Sequence, residues 1–213
     1  THVIRQQRGT IDKYMGDCVM AFWGAPVAAP DHAHLAVQAA LDMVQAVHAV
    51  NTEHQAQGLP VIGVGVGLNT GPMCVGDMGS DVRRSYTVIG DAVNLGSRLE
   101  GLCKAYGVEI VASESTRAQA PGFVWLELDR VRVIGKEQAV AIYCPLGGEG
   151  RVAGGNLQAM ESWHRWLAAL RAENWPLCDE RWPSVPSNPA GAKLMDFYAQ
   201  RLQERRVLPY SPD

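Results

Sequence analysis

The sequence predicts an α/β sandwich in which helices pack on a mixed sheet. Three observations carry this. Short runs with the two-residue period of strands alternate along the chain with longer runs of helical period. A tight Gly-Asp turn joins the first two strand-like runs, so an antiparallel hairpin enters early. At 213 residues and 47% apolar, the chain can bury one full core and a small appendage, which fits a single layered domain with a tail.

Taken in order, residues 1–8 read as the end of a helix running into a strand. No initiating Met opens the sequence, and further sequence upstream is expected. Gly9 opens a hairpin whose strands are 10–14 and 18–23, with Met15-Gly16-Asp17 as the turn: Gly supplies backbone freedom and Asp a turn-forming carboxylate. Asp31, behind Pro30, is the expected N-cap of a helix reaching about residue 57, with Val37, Ala40, Leu41, Val44 and Val47 on its buried stripe. Gly58 and Pro60 end it. Residues 61–69 alternate strictly, with Ile62, Val64, Val66 and Leu68 on one side and Gly63, Gly65 and Gly67 on the other. One face of that strand is bare backbone, suited to a closely approaching helix or partner. The triple glycine is no dinucleotide fingerprint, because it lies inside a strand and no helix begins there.

Residues 71–85 read as a glycine-rich arm carrying Arg83 and Arg84 and leading into a strand at 86–89. Asp91 is the expected N-cap of a helix over 92–106 stopped by Gly107. Strands at 108–112, 123–133 and 140–144 follow, with a short helix from Glu114. Glycines at 147, 148, 150, 154 and 155 mark a linker. Beyond it Leu157, Met160, Trp163, Leu167 and Leu170, then Leu194, Tyr198 and Leu202, space three and four apart, an αα-hairpin. One helical pair cannot bury its own face, so it is expected to dock on the preceding domain or on a partner. The expected division is a domain over 1–146, a linker over 147–155 and a helical tail over 156–213.

Net charge is −3 with both signs interspersed. No Lys/Arg block supplies a nucleic-acid footprint or a polybasic membrane patch, which points to a small-molecule partner. Five cysteines, Cys18, Cys74, Cys103, Cys144 and Cys178, are odd in number and lack Cys-x-x-Cys pairing, as expected of reduced thiols in the cytoplasm rather than disulfides or zinc ligands. No uninterrupted apolar stretch is long enough to span a bilayer, and the first residues are not a signal peptide.

The most informative stretch is Tyr86-Thr87-Val88-Ile89-Gly90-Asp91-Ala92-Val93-Asn94-Leu95-Gly96-Ser97-Arg98-Leu99-Glu100, read with Lys13-Tyr14-Met15-Gly16-Asp17. Asn94 and Arg98 stand four apart in a helical run, so both project from one face and can act on one ligand.

Together these segments resemble the class III adenylyl and guanylyl cyclases, over about residues 9–146. The Lys-x-x-Gly-Asp hairpin, the Asn69-Thr70-Gly71 strand end, the Thr-x-x-Gly-Asp-x-x-Asn-x-x-x-Arg segment and a late Gly-Lys all occur in family order. Gly-Thr-Ile-Asp-Lys at 9–13 and Ala-Phe-Trp-Gly-Ala-Pro at 21–26 are similar to bacterial members. The resemblance implies the ferredoxin-like nucleotidyl cyclase fold, βαββαβ with additions, and an adenylate cyclase converting ATP to cyclic AMP. By the same resemblance Lys13 and Thr87 choose the base, Asn94 orients the ribose, and Arg98 stabilises the α-phosphate in the transition state. Asp17 is the second of two metal carboxylates for Mg2+ or Mn2+, two ions per site; the first belongs on a strand upstream of these residues. One metal carboxylate by itself would bind such ions poorly. A terminal-phosphate Lys is expected where Ile134 stands, with Lys136 as its substitute two residues on.

The family's site forms between two domains, and this chain carries both kinds of residue, so a head-to-tail homodimer is implied. Related cyclases often carry upstream sensors and membrane spans. Two alternatives stay open: a non-catalytic dimerisation or nucleotide-sensing module, which Ile134 favours, and a guanylyl cyclase, which Lys13 disfavours.

Overall fold

A computed structural model describes residues 1–80, 82, 84–132, 139–181 and 189–205. The element order is α1 (His2–Gln6), β1 (Thr10–Met15), β2 (Cys18–Phe22), α2 (His32–Ala56), β3 (Val66–Leu68), β4 (Cys74–Gly79), β5 (Arg84–Ile89), α3 (Asp91–Tyr106), β6 (Ile110–Ser113), α4 (Glu114–Gln119), β7 (Phe123–Val131), β8 (Val140–Gly148), α5 (Gly154–Arg171), α6 (Trp175–Arg181) and α7 (Pro189–Arg205).

The central sheet has the order β3-β6-β8-β7, with β3 and β6 parallel and the other two pairings antiparallel, hence mixed. Two hairpins, β1-β2 and β4-β5, stand beside it. Both faces of the central sheet are covered. Ala33, Val37 and Ala40 of α2 pack with Leu68, Ile110, Ala112, Ala120 and Phe123 on one side. On the other, Leu95, Leu99, Cys103 and Tyr106 of α3 pack with Val111, Leu126, Leu128 and Ile142. Neighbours on β6 thus serve opposite layers, Val111 one and Ile110 and Ala112 the other, as strand alternation requires.

The C-terminal helices belong to the second layer: Trp163, Trp166, Leu167 and Leu170 of α5 and Leu194 and Tyr198 of α7 share its core. They also solve an edge problem. β7 is an edge strand whose pairing with β8 breaks step between Glu127 and Asp129, and unpaired backbone groups there would be costly if buried. Instead Glu127 N–H donates to His164 Nε2 (2.9 Å), Trp163 Nε1 donates to the Glu127 carbonyl (2.7 Å), and the Tyr198 hydroxyl donates to the Leu128 carbonyl (2.7 Å). Beside them Arg201 of α7 pairs with buried Asp129, which also accepts from the Tyr106 hydroxyl of α3 (2.9 Å). Burial, with the Asp129 charge next, pushes the Tyr106 phenol well above its usual range, so it stays a donor.

Several sequence expectations are corrected. Of 61–69 only Val66–Leu68 is strand, the part that runs beside Ile110, Val111 and Ala112. The 71–85 arm holds β4, which with β5 makes a two-stranded hairpin. Asp31 is the N-cap of α2 as expected, but its carboxylate makes no cap bond and accepts instead from Arg8 (2.5 Å). Gly90, not Asp91, is the N-cap of α3, and Asp91 is its first residue. Much of the glycine run expected as linker is ordered structure: β8 continues to Gly148 and α5 begins at Gly154.

The bare face of β3 meets α3 as expected. A Cβ on Gly67 would lie 2.2 Å from the Gly96 carbonyl oxygen and 2.4 Å from the Glu100 nitrogen. Only glycine permits so close an approach of helix to strand.

Candidate functional site

The candidate residues sit on three neighbouring pieces: hairpin β1-β2, strand β5 and the exposed face of α3. In β1 the register shifts between Ile11 and Lys13, leaving Asp12 as the extra residue of a β-bulge. Successive strand residues ordinarily point to opposite faces; a bulge re-aims them. As a result Asp12 and Lys13, adjacent in sequence, meet at 3.5 Å (Nζ to Oδ1). The Asp12 side chain is 1% exposed, and its other oxygen accepts from the Thr87 hydroxyl of β5 at 2.6 Å, with the Val88 N–H at 3.4 Å. One buried carboxylate therefore joins the two hairpins and brings Lys13 and Thr87 together. Tyr86 adds a ring contact to Phe22, centroids 6.2 Å apart.

Three residues on from Thr87 is Gly90, whose φ of 147° lies where a side chain is strained. There the chain turns into α3. The Gly90 carbonyl accepts from the amides of Val93 (3.0 Å) and Asn94 (3.3 Å). Leu95 and Leu99 are buried, while Asn94 and Arg98, one position before each, are exposed on the neighbouring face, one turn apart. The start of α3 is also held from the end of β3, where Asn69 Nδ2 donates to the Ala92 carbonyl (2.8 Å); that segment is itself fixed by Ser115 of α4, which donates to the Thr70 carbonyl (2.7 Å). The Asn-Thr-Gly strand end is thus a brace for the helix bearing Asn94 and Arg98. On the buried side of that helix Cys103 packs in the core, and burial pushes its thiol up to about 11. Cys144 and Cys178 are buried as well, Cys18 and Cys74 are exposed, and none of the five is in a disulfide.

Asp17 occupies the two-residue turn between Met15 and Cys18 and is exposed. Among the described residues no group of three His, Cys, Asp or Glu side chains could hold a metal ion. A Mg2+ ion takes about six oxygens, so one exposed carboxylate does not by itself make a metal site. Lys136 and Ile134 lie outside the described residues.

Asp12 is the residue the sequence reading missed. Its signal was faint: an acidic side chain inside a strand, next to a lysine already singled out.

Known proteins share the family and the fold. The adenylate and guanylate cyclase catalytic domain matches residues 2–144. Adenylate cyclase 1 of Rhizobium meliloti is 38% identical over 148 residues, which is 69% of this chain and 22% of that protein. The adenylyl cyclase CyaB from P. aeruginosa superposes with a TM-score of 0.62 at 31% identity, covering 71% of this chain and 79% of that one. The guanylyl cyclase Cya2 superposes with a TM-score of 0.61 at 32% identity, covering 70% and 76%. The chain spans less than a third of the length of the curated relatives it matches. Among the described residues no helix is long and apolar enough to cross a membrane.

Proposed function

We propose that this chain, which belongs to the adenylate and guanylate cyclase catalytic domain family, converts ATP to 3′,5′-cyclic AMP and pyrophosphate. The reading rests on one observation above the others: Lys13 and Thr87, far apart in sequence, meet on the two oxygens of Asp12. Adenine presents an acceptor at N1 and a donor at N6, which an ammonium and a hydroxyl oxygen complement; guanine presents the reverse edge. The fold does not choose the base, since a guanylyl and an adenylyl cyclase superpose on it equally well. The side chains choose.

In the proposed reaction the ribose 3′-oxygen attacks the α-phosphorus, the bond from that phosphorus to the bridging oxygen breaks, pyrophosphate leaves, and the hydroxyl proton passes to solvent. The chain's own contribution is positioning and charge. Lys13 and Thr87 fix the base. Asn94 holds the ribose, and Arg98, one helical turn on, meets the charge growing on the α-phosphate, for which a planar and permanently charged fork is suited. Asp17 would lend one of the carboxylates that hold Mg2+ or Mn2+, two ions per site, which would supply countercharge to the triphosphate. The site is shared in a head-to-tail homodimer, with Asp17 and Arg98 of one site drawn from different copies. Apolar side chains exposed on the two hairpins, Tyr14, Met15, Val75, Tyr86 and Ile89, support burial of these surfaces against a second copy.

The test is cyclic nucleotide production from ATP and from GTP by the natural protein containing these residues. Wild type is expected to prefer ATP, and the Lys13→Glu, Thr87→Cys double variant to lose far more activity on ATP than on GTP, because its edge groups no longer pair with adenine. Equal losses on both nucleotides would refute the assignment.

A further inference from the structure

A threonine hydroxyl can donate or accept, so by itself it does not distinguish an amino group from a carbonyl oxygen. Thr87 would be a poor judge of adenine against guanine if its hydrogen were free to turn. In this structure it is not free. Its hydroxyl donates to Asp12 Oδ2 at 2.6 Å, and that carboxylate has no hydrogen to give back. The Asp12 side chain is 1% exposed, so no water competes for the bond, and breaking it would strand a buried oxygen.

We propose that Asp12 is the positioning residue behind base selectivity: by holding the Thr87 hydrogen, it leaves only lone pairs on the Thr87 oxygen to face the base. This rests on the reading of Thr87 given above and deepens it. Lone pairs accept from the N6 amino group of adenine and repel the O6 of guanine. The same carboxylate lies 3.5 Å from Lys13 Nζ, so it also draws the ammonium toward the hydroxyl and sets the spacing of the pair. The bulge in β1 is what lets one residue serve both neighbours. Asp12 touches no substrate in this scheme; it acts by fixing the polarity of a group that does.

The experiment compares kcat/KM for ATP and GTP in the natural protein for wild type, Asp12→Asn, Thr87→Val and the double variant, with thermal melts to verify folding. An Asn amide can donate to the Thr87 oxygen and turn the hydroxyl outward as a donor. The ATP-to-GTP ratio is therefore expected to fall about tenfold in Asp12→Asn, the worth of one polar mismatch. On a Thr87→Val background the same change should move the ratio by less than about twofold, since the group through which Asp12 acts is gone. A folded Asp12→Asn protein that keeps the wild-type ratio overturns the inference. So does an equal shift with Val at 87, which would mean that Asp12 acts on the base by another route. Should Asp12→Asn not fold, Asp12→Ala, which frees the hydroxyl to rotate, must lower the ratio likewise, and an unchanged ratio again overturns it. If neither variant folds, Asp12 serves the fold and the inference falls. A wild type without preference for ATP would sink the reading of Thr87 itself, whereas an ATP-selective wild type with an indifferent Asp12→Asn would sink only this inference.

Discussion

Four glycines in and beside the contact between β3 and α3 make a graded test of how tightly the helix bearing Asn94 and Arg98 is seated. On Gly67 a Cβ would stand 2.2 Å from the Gly96 carbonyl oxygen and 2.4 Å from the Glu100 nitrogen, both backbone atoms that cannot swing aside. Restoring ordinary contact requires α3 to retreat by more than about 1 Å, and a gap of that size forfeits a quarter to a half of the contact energy along a packed face. Leu95, Leu99 and Cys103 all lie on that face. With about 1.5–3 kcal/mol at stake per buried leucine, and overpacking strain in addition, Gly67→Ala is expected to cost at least ~3 kcal/mol. On Gly65 the nearest atoms are the Glu100 Oε1 at 3.1 Å and the Cys103 Cβ at 3.3 Å; the first is a flexible chain end, so the cost should stay below about 1 kcal/mol. A Cβ on Gly63 meets nothing within 4 Å, and Ala there should be neutral. From the helix side a Cβ on Gly96 finds only the Asn69 Cβ at 3.9 Å, so Gly96→Ala should gain about 0.5–1 kcal/mol of helix propensity. Urea unfolding at constant slope measures all four. Gly67→Ala within about 0.5 kcal/mol of wild type would refute the tight seating of α3, as would a loss at Gly96 equal to that at Gly67.

Two further outcomes concern the C-terminal helices. Arg201→Ala leaves Asp129, 2% exposed, with its charge uncompensated by Arg201, and should cost about 3–5 kcal/mol in urea unfolding; a loss under about 1 kcal/mol would mean that α7 is not anchored by this pair. Burial lowers the His164 pKa from its ordinary value near 6.5, and the ring accepts from Glu127 N–H, a bond that only the neutral form makes. The unfolded chain then binds the proton more readily than the folded one. His164 thus contributes stability that is whole above pH of about 6.5 and lost as pH falls from there through the folded-state pKa. His164→Gln, whose carbonyl can still accept, should lose less stability than wild type between pH 7 and pH 5, and parallel pH profiles would contradict this.

What the sequence showed, it showed where the chemistry is local. The β1-β2 hairpin was legible because Gly16-Asp17 is turn chemistry, and the end of α3 because Gly107 follows a run of helical period. Strand expectations failed where a partner decides. Residues 61–65 alternate as faithfully as 66–68, yet only the latter run beside β6. Conversely Cys74–Gly79, with glycines at 76 and 79, lacks strand composition and becomes β4 by pairing with β5. Asp31 had the right type and place for a cap, but Arg8 captures its carboxylate.

At the candidate site, Asn94 and Arg98 stood out by their spacing in a helical run, and Lys13 and Thr87 only by the resemblance to class III cyclases. The carboxylate joining Lys13 and Thr87 did not, because a one-residue bulge at Asp12 leaves no mark in the pattern. Nor did the use of Trp163, His164 and Tyr198 as partners for the β7 backbone, since which strand lies at an edge is a property of the whole sheet.

ATP cyclisation at a site built from two copies of the chain is testable by complementation. The measurement is cyclic AMP production after mixing Asp17→Ala and Arg98→Ala versions of the natural protein, each inactive alone. In a mixed dimer one of the two sites takes Asp17 from the Arg98-deficient copy and Arg98 from the other, so it is whole. Activity should return to at most about half the wild-type value per mixed dimer, diluted by inactive like-with-like pairs. A mixture as dead as its components, with association of the two chains verified, would contradict the shared site.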